Sequence, residues 1–369
     1  QAFGLRATGS FSVFDVSTAM GCGASTAPAP PPLVKVDPEK FAKIFEKDGI
    51  KRMAWLNDEK LLMAYGGDPQ EKDHAMEVYE IKTQLTKSIG IFTFEGENSF
   101  HDPPLFCVSM DGQIYAAAIE GKVKIFNATD HSEIRNFQIF TNKSSFVTNM
   151  SFSPDGKHIA FGDGSSDLEW AVLTVEGNEV YKGRIEGFAR SKTGLYWMQN
   201  DQLLVLTPNQ GTYYDISAKK ELGTFHFPHY EDVNQMSLRF MKSGKILATS
   251  KGSSSGGKAF ILKKGAGYSL EIAESFQVHD KVGPDFPHFL SDEQTLIYER
   301  AWGPDQLLCH QLGGEPIVLT RGPRKSSELT TLEEVVGNSS DTILATIDNV
   351  GVKLFDLGRA TKKSAPADQ

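Results

Sequence analysis

One pattern recurs seven times along the 369-residue chain: an apolar run stops at a short polar turn, and a second apolar run follows at once. The stretches are "MAWLNDEKLLMAY", "FCVSMDGQIYAAA", "MSFSPDGKHIAFG", "LYWMQNDQLLVLT", "LRFMKSGKILATS", "PHFLSDEQTLIYE" and "VVGNSSDTILATI". With Asp58, Asp111, Asp155, Asp201, Gly244, Asp292 and Asp341 as markers, the spacings are 53, 44, 46, 43, 48 and 49 residues. Each turn carries Asp-Gly, Ser-Gly, Asn-Asp or Ser-Asp, residues that tolerate tight hairpin geometry.

A third apolar run follows each hairpin: "MEVYEI", "KVKIFN", "WAVLTV", "TYYDIS", "AFILKK", "LLCHQL" and "GVKLFDL". A fourth, weaker run is clear in five units as "IRNFQIF", "EVYKGRI", "LGTFHF", "AESFQV" and "PIVLT". Four short strands per unit at this period predict an all-β, seven-bladed β-propeller of four-stranded antiparallel blades. The seventh unit ends at its third strand, so its fourth should come from "EKFAKIFEKDG" near the start of the chain, pairing beside Val352–Leu357. That pairing would close the ring and hide two strand edges. The expected division is a tail over 1–37 rich in Ala, Pro and Ser, a propeller over 38–358 and a polar tail over 359–369.

"SFSPDGKHIAFG" and third strands such as "VKIFNATDHSEIRNF" and "VKLFDL" resemble WD40 repeats, over roughly residues 40 to 357. The likeness is divergent: no repeat keeps the Gly-His near its start, and Phe355-Asp356 is the nearest approach to the closing Trp-Asp. It implies a protein-interaction scaffold without catalysis. "LRFMKSGKILATS" running into "FPHFLSDEQTLIYER" is also similar to the propeller of translation initiation factor 2A, which implies the alternative of a soluble subunit in a translation-initiation or other ribonucleoprotein complex.

Composition narrows the partners. Formal net charge is -9, from 47 acidic and 38 basic residues, which argues against direct nucleic-acid binding because phosphate contacts need a basic footprint. Cys22, Cys107 and Cys309 are too few and scattered for a disulfide framework or a zinc site, which suits a reducing, cytoplasmic compartment. No apolar run is long enough for a transmembrane helix.

Chemistry is sparse. "His226-Phe-Pro-His229" with Glu231 and Asp232, and "His279-Asp280…Asp285…His288", hold metal-ligand residue types, but polar side chains facing solvent are the simpler reading. Cys107 and Cys309 lie within apolar strands and read as buried small hydrophobes, and Cys309 and His310 should point to opposite faces. "GDGSSD" and "KGSSSGGK" each link two strands, whereas phosphate cradles open onto a helix. No enzyme activity, cofactor or metal is expected.

Binding is expected instead on the long connections of one propeller face. Phe100, Phe188, Tyr230, Phe286 and Trp302 are candidate aromatic anchors, and Arg190, Arg321, Arg324 and Lys325 a basic sector for an acidic motif. Phe188 and Phe286 could equally tuck inward as blade packing, and Trp170 and Trp197 should pack between blades. The tail carries a further signal. Read from Met20, "MGCGAS" is the opening of an N-myristoylated protein, with Gly21 the acceptor, Ser25 at the favoured position and Cys22 a palmitoylation site. Two chains give stable attachment where one holds only marginally. This reading expects translation to start at Met20 and the body to sit on the cytoplasmic face of a membrane.

Overall fold

In the computed structural model the described residues are 36, 41–65, 73–93, 104–119, 121–139, 147–163, 168–185, 194–207, 210–226, 233–240, 246–252, 258–265, 267–277, 285–290, 292, 294–299, 307–311, 317–319, 332–348 and 351–357. They form twenty-eight strands in seven four-stranded antiparallel sheets. The first strand, β1 (Ala42–Asp48), stands apart from the sheet that follows it. Blade one is β2 (Ile50–Asn57), β3 (Lys60–Tyr65), β4 (Asp73–Glu80) and β5 (Leu85–Thr93). Blade two is β6 (Leu105–Val108), β7 (Ile114–Ile119), β8 (Lys122–Asn127) and β9 (Glu133–Gln138). Blade three is β10 (Val147–Phe152), β11 (His158–Asp163), β12 (Leu168–Thr174) and β13 (Glu179–Ile185).

Blade four is β14 (Gly194–Trp197), β15 (Gln202–Leu206), β16 (Gln210–Asp215) and β17 (Lys220–His226). Blade five is β18 (Val233–Phe240), β19 (Ile246–Gly252), β20 (Lys258–Lys264) and β21 (Leu270–Gln277). Blade six is β22 (Asp285–Phe289), β23 (Thr295–Glu299), β24 (Leu307–Gln311) and β25 (Ile317–Val318). Blade seven has β26 (Leu332–Gly337), β27 (Ile343–Asp348) and β28 (Gly351–Asp356), and its outer strand is β1.

The ring therefore closes as the sequence predicts. β1 pairs antiparallel with β28, from Ala42 opposite Asp356 to Asp48 opposite Gly351. First strands of neighbouring blades approach one another, which puts them at the hub and the fourth strands at the rim. The fourth strand of blade one, β5, was not legible in the sequence. Its first residue, Leu85, is an exposed leucine, and such rim strands cover one side of a blade only.

The apolar runs have a simple cause. A blade is packed on both sides, so its middle strands bury both faces. Successive residues of β15 go to opposite neighbours: Leu203 and Val205 join the cluster against blade three, Leu204 and Leu206 the cluster against blade five. Leu61, Leu62 and Met63 of β3 alternate in the same way between blades seven and two. Among the described residues the hydrophobic core is seven clusters, one in each seam between successive blades. Trp170 and Trp197 both lie in the seam of blades three and four, as expected.

Two faces follow from this topology. Turns within a hairpin, joining first to second strands and third to fourth, lie on one face, here the hairpin face. Connections from second to third strands and from blade to blade lie on the opposite, crossover face. Because Ala42 is opposite Asp356, and the Leu357 N–H donates to the Thr342 carbonyl at 2.9 Å, the chain enters and leaves the ring on the hairpin face. Val36 and Phe41, just outside β1, pack on the cluster between blades six and seven.

Candidate interaction surfaces

The hairpin face is built from turns that satisfy their own polar groups. In blade two the Ser109 hydroxyl donates to Asp111 Oδ1 at 2.6 Å, and the Gln113 N–H donates to the same carboxylate at 3.0 Å. These bonds, the Ser109 one foremost, hold the Asp111 carboxyl below its usual range. Blade three repeats the device with Ser153 and Asp155 at 2.7 Å. There burial pushes the Asp155 carboxyl up, and the Ser153 hydroxyl and Lys157 amide outweigh it. Gly112 and Gly156 take the left-handed turn position at φ of 68° and 69°. Asp341 takes it in blade seven at 51°, and its N–H bonds the Asn338 carbonyl as Gly112 bonds Ser109 and Gly156 bonds Ser153. Asp292 caps the blade-six turn by accepting from the Gln294 and Thr295 amides. Asp111, Asp155 and Asp292, three of the aspartates that mark the repeat, are thus committed to turn structure.

Blades are also tied to one another at the hub. Trp55 Nε1 donates to the Val336 carbonyl at 3.1 Å, and Trp197 Nε1 to the Ser151 carbonyl at 3.1 Å. The Ser151 hydroxyl donates to the Leu195 carbonyl at 3.1 Å. In the seam of blades six and seven the Gly337 N–H donates to Nε2 of the buried His288 at 3.0 Å. The richest junction is where the ring closes. Asp58 Oδ1 accepts from the Ser339 hydroxyl at 2.7 Å and the Ser340 N–H at 2.9 Å, while Asn338 Nδ2 donates to the Asp58 carbonyl at 3.1 Å.

Beside that junction, between the first turns of blades seven, one and two, lies a cleft of about 570 Å³. Its walls include Trp55, Asp58, Glu59, Met110, Asp111 and Ser339, with no lysine or arginine among the described lining residues. Met110 stands at its edge 80% exposed. Nothing in the sequence marked this site, because its walls come from three different units, one of them at the far end of the chain.

The chemical candidates fare as their surroundings dictate. Cys309 is buried in the seam of blades six and seven, and burial pushes its thiol up to about 12. Burial likewise raises the Cys107 thiol well above its ordinary value. His310 turns the other way, toward Tyr298 of the opposite seam, so no Cys–His pair forms. Gly252-Ser253-Ser254-Ser255-Gly256, within "KGSSSGGK", has the spacing of a nucleophile elbow. It joins β19 to β20 within one blade, whereas an elbow needs a strand-to-helix turn. Among the described residues no three His, Cys, Asp or Glu side chains are grouped to hold a metal ion. No helix of the described residues is long and apolar enough to cross a membrane.

Of the anchors named from sequence, Phe286 lies within β22, the hub strand of blade six, rather than on a connection. Phe100, Arg190, Tyr230, Trp302, Arg321, Arg324 and Lys325 lie outside the described residues, as do Gly21, Cys22 and Phe188. Of the histidine–carboxylate sets, His226 ends β17, and Asp285 and His288 lie on β22. Their remaining members lie outside the described residues.

No protein family matches the chain by sequence, and no curated protein does. Its fold is nevertheless shared with solved structures. The β-propeller domain of Cps50 (Swd1) from Myceliophteria thermophila superposes with a TM-score of 0.63 at 14% identity, over 85% of this chain and 98% of that one. The C-terminal WD40 domain of Sif2 gives 0.61 at 13% identity, over 88% and 99%. A chain of the mitotic checkpoint complex gives 0.59 at 12% identity, over 94% and 98%. At such identities the shared property is the fold alone: the chain is a seven-bladed β-propeller, similar in architecture to these solved propeller domains.

Proposed function

We propose that the chain is a non-catalytic interaction scaffold that presents its crossover face to protein partners and is held on the cytoplasmic face of a membrane by myristoylation at Gly21 and palmitoylation at Cys22. The observation that carries the first half is the asymmetry of the two faces. Hairpin-face turns are short, such as Asn57 to Lys60 and Phe152 to His158, whereas crossover-face connections run from Thr93 to Leu105 and from Val318 to Leu332. Long connections on a rigid scaffold are where recognition concentrates. Phe100, Arg190, Tyr230, Trp302, Arg321, Arg324 and Lys325 fall on these connections and Phe286 at the start of β22, so they are the proposed contacts. One structural neighbour is a chain of a named complex, which supports protein partners as the class.

The second half rests on "MGCGAS" and on residues 23–37, the Ala- and Pro-rich stretch after Cys22 that would serve as spacer. Intact mass of the native protein tests it. A species beginning at Gly21 with an added acyl mass, and a Gly21→Ala variant that leaves the membrane fraction, are the expected results. Retention of residues 1–19 would end the anchor reading, and salt-sensitive co-sedimentation with ribosomes would favour the ribonucleoprotein alternative.

A further inference from the structure

Blade two carries an imidazole where its neighbours carry none. The turn between the third and fourth strands passes through one residue of left-handed backbone: Gln84 in blade one (φ 56°), His131 in blade two (64°), Gly177 in blade three (92°) and Lys219 in blade four (52°). Glutamine, glycine and lysine all serve this position, so the turn itself does not demand a ring there. The His131 N–H donates to the Asn127 carbonyl at 3.0 Å. Its ring is directed into the seam of blades one and two, 6.0 Å from the Tyr115 ring between centroids. Tyr115 is fully buried in the apolar cluster of that seam with Leu56, Leu62, Met76, Val78 and Phe126.

Two polar atoms of this contact are left unsatisfied. His131 Nδ1 and the Tyr115 hydroxyl are both buried, and neither has a hydrogen-bond partner among the described residues. A neutral imidazole can leave Nδ1 as a bare lone pair, whereas an imidazolium carries an N–H on both nitrogens. Protonation in place would therefore bury a charged donor with no acceptor in reach.

The charges around the ring add to this. On the side of blade one that faces blade two, Lys60 stands opposite Glu80 and Lys87 opposite Val78, beside the Leu62 and Val78 of the seam. Glu59 and Lys82 of the adjoining turns pair with each other at 2.6 Å. In blade two, Lys124 and Glu133 pair at 3.0 Å, and Asp130 accepts from the Ser132 N–H and hydroxyl. Burial foremost, then Lys60 and Lys87, hold the His131 imidazole below its ordinary value, with Asp130 acting the other way.

We propose that His131 is an acid-released pin between blades one and two. Neutral, its ring lies on Tyr115 and closes the hairpin-face end of the seam. Protonated, it swings out to water, frees the Asn127–Ser132 turn from blade one and bares Tyr115. A group depressed on folding contributes fully above its unfolded value and loses that contribution as pH falls through the folded one. The pin is therefore set at neutral pH and released in acid, where the hairpin face gains a surface it otherwise lacks.

Hydrogen exchange of the full-length chain, read by mass spectrometry at about pH 7.5 and about pH 5 and corrected for intrinsic rates, tests this. The peptide over residues 127–133 holds the bonded amides of Asn127, Ala128 and His131. It should exchange roughly tenfold faster in acid, the consequence of one buried unpaired donor. The peptide over Thr174–Asn178, the same turn in blade three, should not change. His131→Asn accepts left-handed backbone but cannot become charged, so it should abolish the response. His131→Lys, the residue type of blade four at this position, should leave the turn fast at both pH values. Histidine-ring NMR of the same chain should place the His131 midpoint below 6.5, and Lys60→Gln/Lys87→Gln should move it up. No acceleration in acid, an acceleration shared by blade three or surviving in His131→Asn, a turn still protected in His131→Lys, or a midpoint at or above 6.5 would each overturn the proposal.

Discussion

Gly112 and Gly156 occupy the same turn position in successive blades, yet they answer to different constraints. Both have positive φ, where an L side chain costs energy. A Cβ on Gly112 would also meet the backbone carbonyl oxygen of Leu56 in blade one at 2.8 Å, while one on Gly156 meets only Ser109 Cβ at 3.9 Å. Gly112→Ala should therefore destabilise by about 2 kcal/mol and Gly156→Ala by about 1 kcal/mol, read as shifts in urea midpoint. Equal losses would show that the approach of the two blades relaxes freely. The Asp-Gly pairs themselves were plain in the sequence, because hairpin chemistry is local. That one of the two glycines also spaces a pair of blades was not, since Leu56 is a residue of another repeat.

The element that most rewards attention is β1, which belongs to blade seven by pairing and to blade one by its side chains. Phe45 stacks on Tyr79 with centroids 3.9 Å apart. Lys47 pairs with Glu77, the Tyr65 hydroxyl donates to that carboxylate at 2.9 Å, and the Lys47 ammonium lies 5.4 Å from the Tyr65 ring centre. Burial pushes the Lys47 ammonium down, but Glu77 and Tyr65 more than reverse this and raise it. Tyr65 is raised too, chiefly by burial. Groups raised on folding contribute fully below their unfolded values and lose that contribution as pH climbs through the folded ones. Stability should hold to about pH 10 and fall above it. Thermal melts across that window should show a shallower fall in Glu77→Gln, which removes the charge that holds Lys47 protonated. An unchanged slope would show that the latch carries no proton linkage. The position of β1 was legible because an unfinished seventh unit demanded it, whereas its grip on blade one was not. Phe45, Lys47, Tyr65, Glu77 and Tyr79 follow no shared period.

For the whole ring, closure is the property most open to test. Removing residues 1–48 would leave β28 with an open edge and strip Phe41 and Phe45 from their stacking partners Phe355 and Tyr79. A loss of at least about 3 kcal/mol is expected, with fluorescence and circular-dichroism transitions that no longer coincide. Removing residues 1–35 alone should leave the midpoint within about 0.5 kcal/mol of the intact chain. If both truncations behave alike, β1 is dispensable and the ring is held by its hub ties.

What the sequence alone determined is the part of the molecule written in short-range terms: seven units, their hairpin turns, their doubly buried middle strands and the strand owed to the seventh blade. Each leaves a local mark, because a residue's face and a turn's geometry are set by its neighbours in the chain. Only the tertiary structure decided which units meet. Asp58 and Asp111 look alike as turn markers, yet Asp111 caps its own hairpin while Asp58 holds Ser339 and Ser340 across the closing seam. The cleft beside them arises from the same cause. A contact between residues some 280 positions apart imposes no periodicity on either, so it is written only when the ring closes.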